Sequence, residues 1–358
     1  MPLILAIDTS CDETSAAVTD GTKVLSNVIS SQVDLHKKYG GVYPALAKRA
    51  HEEKIDFVVK EAIRRASKKI HADLVAIAVT QGPGLAIALE VGIKKAKEIC
   101  GNPLAIRENH RLPLIAINHL EGHIYSCLAE KSSLPPPTSH FQLPALCLLV
   151  SGGHTELVLM KDHGKYEVVG QTLDDACGEA LDKAAKILKL GYPGGPIIEK
   201  LAEQANRACK ERPCRLAKFN PPLPQKSNLN FSYSGLKTQL LYLVEKMPED
   251  VFNKSLLPLA SSFQEACFEQ IIRKTSQAIK VYQPKMLLCG GGVIANKYLR
   301  KLLRRLARQN NLSVLFPPNK NLTTDNAAMI GIAAHFKYQR GKFVKNPETL
   351  DREPRLSL

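Results

Sequence analysis

The sequence contains no tryptophan, and aromatic residues make up only 6% of its 358 positions. Single-stranded nucleic acids are usually gripped by stacked aromatic platforms, so that mode of recognition is disfavoured here. No apolar run approaches the ~20 residues of a membrane span. The start, Met1-Pro2-Leu3-Ile4-Leu5, runs into a polar, acidic stretch without the basic-then-apolar layout of an export signal. The expectation is a cytoplasmic protein with no membrane contact. No C-x-x-C pair occurs among the nine cysteines, and several, such as Cys147 and Cys289, sit in apolar runs. They read as small core residues of a reduced protein rather than a zinc ribbon or a disulfide frame. A G-x-x-x-x-G-K-[ST] loop is also missing, which excludes a Walker-type NTPase.

Acidic residues are in deficit. Forty-nine Lys and Arg against 34 Asp and Glu give a formal net charge of +15. The excess falls in clusters: Arg64, Arg65, Lys68 and Lys69; Lys94, Lys95 and Lys97; Arg300, Lys301, Arg304, Arg305 and Arg308. Such faces attract polyanions by releasing counterions. Without aromatic platforms, the backbone of a structured RNA fits them better than unstacked bases; a merely solvated basic surface is the alternative.

The most pointed motif is Asn118-His119-Leu120-Glu121-Gly122-His123. On a helix, residues four apart leave the same face one turn apart, so both imidazoles reach one cation. Asp325, in Thr323-Thr324-Asp325-Asn326, is a candidate third ligand. Two histidines and a carboxylate suit ferrous iron or zinc with open positions. The plain alternative is a polar helix face and an acid at a helix start.

The chain reads as one plan written twice. Leu3–Asp8, 15–19 and 23–29 read as three strands, with a polar turn after the first; 145–150, 155–161 and 166–171 repeat them, with Ser151-Gly152-Gly153-His154 as the turn. A strand at 74–80, the turn Gln81-Gly82-Pro83-Gly84 and a helix over 85–100 are matched by 286–289, Gly290-Gly291-Gly292 and a helix over 295–308. Strand, glycine turn and helix make an anion site. The expected class is α/β: a duplicated actin-like (ASKHA, RNase H-like) two-lobe fold with a cleft between lobes. Residues 1–131 with 326–358 would form one lobe, 144–325 the other, and a Pro-rich connection, 132–143, would join them. Residues 213–230 read as an exposed loop, and the tail from Arg340 as poorly ordered.

In order along the chain stand Asp8-Thr9-Ser10-Cys11-Asp12-Glu13-Thr14-Ser15, Tyr39-Gly40-Gly41-Val42, Gln81-Gly82-Pro83-Gly84-Leu85, the histidine motif and Leu149-Val150-Ser151-Gly152-Gly153-His154-Thr155. Asp174-Asp175-Ala176, Leu181-Asp182-Lys183, Tyr192-Pro193-Gly194-Gly195-Pro196, Phe231-Ser232-Tyr233-Ser234-Gly235-Leu236-Lys237-Thr238, Gly290-Gly291-Gly292-Val293 with Asn296, and Thr324-Asp325-Asn326 follow. With these motifs the chain resembles the TsaD family, the catalytic subunit that makes threonylcarbamoyladenosine in tRNA.

The resemblance implies transfer of the threonylcarbamoyl group from threonylcarbamoyl-adenylate to the exocyclic amine of the adenosine 3′ of the anticodon. The tRNAs are those reading codons that begin with A, and AMP is released. It implies one divalent metal, iron before zinc, on His119, His123 and Asp325. The adenylate would meet Leu149, Val150, Ser151, Gly152, Gly153, Asp182, Gly195, Glu199 and Asn296. Asp12 and Glu13 are candidates for taking the amine proton, turn structure being the alternative. Cys11 beside them is given no covalent role, and His36, His51 and His154 read as structural. Expected partners are a paralogous TsaB-like subunit and a TsaE-like ATPase, or a second copy in a homodimer. Departures from the family pattern are Asp8 and Ala45, each where a glutamate is usual, and Leu149, which points to a bacterial-type protein. The rivals are an actin-like small-molecule kinase or ATPase, a metalloprotease, whose H-E-x-x-H order the motif breaks, and a non-catalytic scaffold paralogue.

Overall fold

The computed structural model describes residues 1–66, 73–101, 112–130, 141–209, 216–220, 222–223 and 228–358. Two compact units emerge: Met1–Phe141 with Leu315–Leu358, and Gln142–Val314. Lys68, Lys69, Cys214, most of the Pro-rich connection and part of the 213–230 loop lie outside the described residues.

The first unit is built on β1 (Leu3–Asp8), β2 (Glu13–Asp20), β3 (Lys23–Ser31), β4 (Leu74–Gly82) and β5 (Leu114–Asn118), with α1 (Val33–His36), α2 (Pro44–Ala66), α3 (Ala86–Gly101) and α4 (His119–Tyr125). The second carries β6 (Ala145–Val150), β7 (Thr155–Asp162), β8 (Lys165–Gln171), β9 (Met286–Gly290) and β10 (Ser313–Leu315). Its helices are α5 (Cys177–Ile187), α6 (Gly194–Ala208), α7 (Ser234–Glu245), α8 (Glu249–Tyr282) and α9 (Lys297–Gln309); α10 (Ala327–Gln339) returns to the first unit. The sheet orders are β3-β2-β1-β4-β5 and, read from the other edge, β8-β7-β6-β9-β10. The duplication expected from the sequence is therefore real: each unit has an antiparallel hairpin pair joined to a parallel strand.

Both faces of the first sheet are covered at its centre, which is why β1, β4 and β5 are apolar almost without alternation. Leu5, Ile7, Ala16 and Val18 pack with Ile55, Val58, Val59 and Ile93 of α2 and α3 in one core. The opposite face receives α10, whose residues from Ala327 to Phe336 are all buried. Gly331 of α10 passes so close to β2 that a Cβ there would lie 2.7 Å from the Thr19 hydroxyl. At the carboxyl ends of the parallel strands β1, β4 and β5 stand Asp8, Gly82 and Asn118, an edge where α/β sheets place ligands.

Two expectations fail. The tail beyond Arg340 is laid along the first unit: Val344 N–H donates to the Leu114 carbonyl, Glu353 N–H to Gln81, and Asn118 Nδ2 to Ser357. Backbone groups supply much of the hold, which side-chain periodicity does not reveal, with Leu350 in the core and the Glu353 carboxylate accepting from Gln81. Its passage also closes the first glycine turn as an anion site, since Gly84 N–H donates to Pro354 and Leu85 N–H to Ser10. A Cβ on Gly82 would lie 1.8 Å from the Glu353 carbonyl oxygen. The cysteine expectation needs one correction as well. Cys11, Cys100, Cys127, Cys147, Cys177, Cys267 and Cys289 are free, but Cys209, at the carboxyl end of α6, is disulfide-bonded.

A candidate metal centre and a candidate nucleoside pocket

Helix α4 starts because Asn118 caps it: its side-chain oxygen accepts from Leu120 N–H at 2.8 Å and from Glu121 N–H at 3.4 Å. His119 and His123 follow one turn apart, their rings edge to face with centroids 4.7 Å apart. Asn326, in turn, caps α10 through Met329 N–H, which fixes the backbone next to Asp325. The three residues meet. Asp325 Oδ1 stands 3.4 Å from His119 Nε2 and 3.3 Å from His123 Nε2, and one ligand atom from each of the three residues lies within 4.8 Å of the others.

Two contacts fix the packing of α4 on α10. A Cβ on Gly122 would come 2.9 Å from the end of the Ile330 side chain and 3.2 Å from Met329, so a larger residue here would have to push those side chains aside. Glu121, buried, pairs with Lys337 at 3.0 Å and lies 3.8 Å from Arg340. The sequence alone assigns Glu121 no role; its signal is an acid turned away from the histidine face, but its cations lie far downstream at the end of α10.

The chemistry of the donors fits a cation. Neither ring nitrogen of the buried His123 makes a hydrogen bond, nor does His119 Nδ1. Three orphaned imidazole nitrogens beside a carboxylate are costly without a positive charge among them. Burial disfavours charge on both rings. At His119 the Asp325 carboxylate outweighs burial and pushes the pKa up to about 10. At His123 burial prevails, reinforced by the neighbouring His119 charge, and the pKa falls. Burial alone would raise Asp325, but the His119 charge and the close approach of both imidazoles hold it well below the usual carboxylate range. Behind His119, Asp8 Oδ1 approaches Nδ1 to 3.8 Å while accepting from Thr80 at 2.8 Å and Ser10 N–H at 3.2 Å. A carboxylate behind a ligating imidazole fixes its tautomer and orientation.

Asp12 and Glu13 lie beside this trio. Burial first, then the charges of Asp12 and Asp325, push the Glu13 carboxyl well above its ordinary value. The same burial and carboxylates push the Cys11 thiol up, so it stays protonated and is no nucleophile. His51 is held between the Thr14 hydroxyl at 2.8 Å and the Cys11 carbonyl at 3.0 Å. His36 bonds to Gln32 and to Tyr43 N–H. Both are structural, as expected.

The remaining candidates belong to the second unit. Leu149 and Val150 are buried in β6. In the turn that follows, Ser151 N–H donates to the His154 carbonyl, the Ser151 hydroxyl accepts from His154 N–H, and Gly178 N–H donates to the Ser151 carbonyl. Gly152 and Gly153 are exposed, with no atom within 4 Å of where a side chain would start. His154 closes this turn. Asp182 Oδ1 caps α6, accepting from Gly194 N–H at 2.7 Å and Gly195 N–H at 3.3 Å.

Asn296 caps α9 through Leu299 N–H and donates to Gln264. Glu199 accepts from Lys297 N–H at 2.8 Å. Around them Glu199, Glu203, Asn206, Gln264, Lys297 and Tyr298 line a cavity of about 310 Å³, the size of a small-ligand site.

These features define a class: an actin-like duplicated α/β protein with a buried two-histidine, one-carboxylate centre in its first unit and a nucleoside-sized cavity in its second. Solved structures agree on the fold. HypF of T. kodakarensis superposes with a TM-score of 0.59 over 97% of this chain and 48% of its own, at 13% identity. Component A of the (R)-2-hydroxyglutaryl-CoA dehydratase of Acidaminococcus fermentans gives 0.51 over 95% of this chain and all of its own, at 12% identity. The sequence narrows the class to one family. Residues 23–332 match the model of TsaD, tRNA N6-adenosine threonylcarbamoyltransferase. The enzyme of that name from Thermosipho africanus is 44% identical across 99% of this chain and 100% of its own, and that from Bacillus subtilis 40% identical across 99% and 95%. The chain belongs to the TsaD family.

Proposed function

We propose that this protein transfers the threonylcarbamoyl group of threonylcarbamoyl-adenylate to the N6 amine of the adenosine 3′ of the anticodon, in tRNAs reading codons that begin with A, and releases AMP. The observation that carries the reading is the meeting of His119, His123 and Asp325 in a chain whose full-length relatives are threonylcarbamoyltransferases.

His119, His123 and Asp325 would hold one divalent metal, iron in preference to zinc, which when bound supplies a Lewis acid for oxygen ligands of the substrate. Asp8 Oδ1, 3.8 Å behind His119 Nδ1, places a carboxylate on the far side of that ring. Glu13, whose carboxyl burial and its acidic neighbours push above its ordinary value, is a candidate with Asp12 for taking the amine proton. In the second unit, the open amides of Gly152 and Gly153 suit a phosphate. Glu199 lines the cavity we assign to the nucleoside, Asn296 holds the lining residue Gln264, and Asp182 and Gly195 shape the start of α6 nearby in sequence. Leu149 and Val150 contribute through the strand that carries the turn.

A protease is disfavoured by Glu121: the carboxylate that would have to activate water is held by Lys337 and Arg340. A scaffold paralogue has no need of the histidine–carboxylate trio. A TsaB-like subunit and a TsaE-like ATPase, or a homodimer, complete the proposal, with the protein working in the cytoplasm where tRNA is found. Among the described residues no helix is long and apolar enough to cross a membrane. The test is reconstitution with unmodified tRNA and enzymatically supplied threonylcarbamoyl-adenylate, with and without those partners. Threonylcarbamoyladenosine in the digested tRNA supports the reading; phosphorylation of a metabolite without tRNA, or no transfer under any combination, overturns it.

A further inference from the structure

Three basic clusters compete as the place where RNA is held, and the fold separates them. In the first, Arg64 and Arg65 both close on Glu61 at 2.6–2.7 Å. In the second, Lys95 pairs with Asp56 and Glu98, and Lys97 is bound to the Glu348 carbonyl, which leaves Lys94 isolated. The third lies on α9 and is different. Lys297, Lys301, Arg305 and Arg308 are all exposed, and among the described residues none of them forms an ion pair.

At about 100° per residue these four side chains fall within an arc of roughly 80°, along about 16 Å of helix. Leu299, Leu303, Leu306 and Ala307 fill the opposite face and are buried. The cationic stripe is thus fixed outward by the apolar one. Its amino-terminal end opens on the cavity, since Lys297 and Lys301 also line it. The acids at that end are engaged: Glu203 with Arg207 at 2.8 Å, and Glu199 with Lys297 N–H. A chain of phosphates can therefore run along α9 without meeting an unpaired carboxylate at its start.

We propose that the exposed stripe Lys301–Arg305–Arg308 of α9, extended by Lys297, is the surface on which the phosphate backbone of the tRNA docks. The proposal rests on the tRNA reading above and adds to it the face that receives the substrate. Contacts of this kind carry affinity and register rather than base identity. They also leave a signature: each phosphate neutralised contributes about 0.7–0.9 to the slope of log affinity against log salt.

The experiment compares the full chain with K301Q/R305Q/R308Q and, as a control of equal charge change, with R64Q/R65Q/K94Q. Binding of an unmodified tRNA transcript is titrated from about 0.05 to 0.3 M salt, and transfer is measured with the reconstituted partners. The expected result for the α9 variant is a slope flattened by about 2, affinity at 0.1 M salt lowered at least about tenfold, and a raised KM for tRNA. The control keeps the parent slope. An α9 variant with unchanged slope and affinity overturns the proposal. So does an equal loss in the control, which would mean net charge alone. If the parent binds tRNA with the predicted slope but never modifies it, the transfer reading fails while the docking surface stands.

Discussion

Replacing Glu121 by alanine tests how the metal ligands are held without touching any of them. Its carboxylate is almost fully buried, 3.0 Å from Lys337 Nζ and 3.8 Å from Arg340 Nη2, which are 22% and 27% exposed. Breaking a wholly buried pair costs about 3–5 kcal/mol because a charge is stranded. Here both cations reach water, and Lys337 keeps the Ala116 carbonyl at 3.0 Å, so roughly 1–3 kcal/mol is the reasonable range. For a unit of this size that lowers Tm by about 2–10 °C. The same change loosens α4 on α10, and with it the positions of His119 and His123 against Asp325, so metal affinity should fall together with Tm. Differential scanning calorimetry on the metal-free protein, followed by titration with ferrous iron or zinc, reads both. Glu121→Gln, which keeps shape and loses charge, should fall between parent and alanine. A Tm within about 1 °C of the parent and an unchanged affinity in Glu121→Ala would refute the reasoning.

Two further outcomes follow from the geometry. Asn118→Ala removes the cap of α4 and the hold on the tail at Ser357, and should cost about 1 kcal/mol by denaturant unfolding, whereas Asn118→Asp, which keeps the accepting oxygen, should cost less. Asp174 accepts from the hydroxyls of Ser232 and Ser234 and from two backbone N–H groups, and although burial opposes it these bonds lower its pKa. A carboxyl depressed by folding stabilises above its unfolded pKa of about 3.9 and loses that contribution as pH falls through the folded value. Ser234→Ala should therefore be less stable than the parent at pH 6, by up to about 1.5 kcal/mol, with the gap narrowing below pH 4 in urea titrations.

The duplicated plan was legible because it is written in hydrophobic runs and glycine turns, which survive as β1–β3 and β6–β8 with the expected bounds shifted by a residue or two. His119 and His123 were legible from helical spacing alone, since four residues return a side chain to the same face. Asp325 could be named only as a candidate until the family resemblance supported it, because nothing local says that a carboxylate about two hundred residues away comes back to the same place. The tail was misread for a physical reason: Glu353, Pro354 and Leu356 are held through backbone groups, which the side-chain pattern does not record. Asp182 shows the opposite difficulty. An acid in a polar motif suggests a ligand, yet one of its oxygens is taken by the start of α6.

The most direct measurement of the central claim is metal content and transfer activity on the same samples. The parent and the H119A/H123A variant are purified without oxygen, analysed for iron and zinc, and assayed for threonylcarbamoyladenosine on tRNA. The account predicts about one metal ion per parent chain, none in the variant, and loss of transfer in step with the metal while circular dichroism shows the fold intact. A variant that still transfers at the parent rate, or that retains the metal, would contradict it.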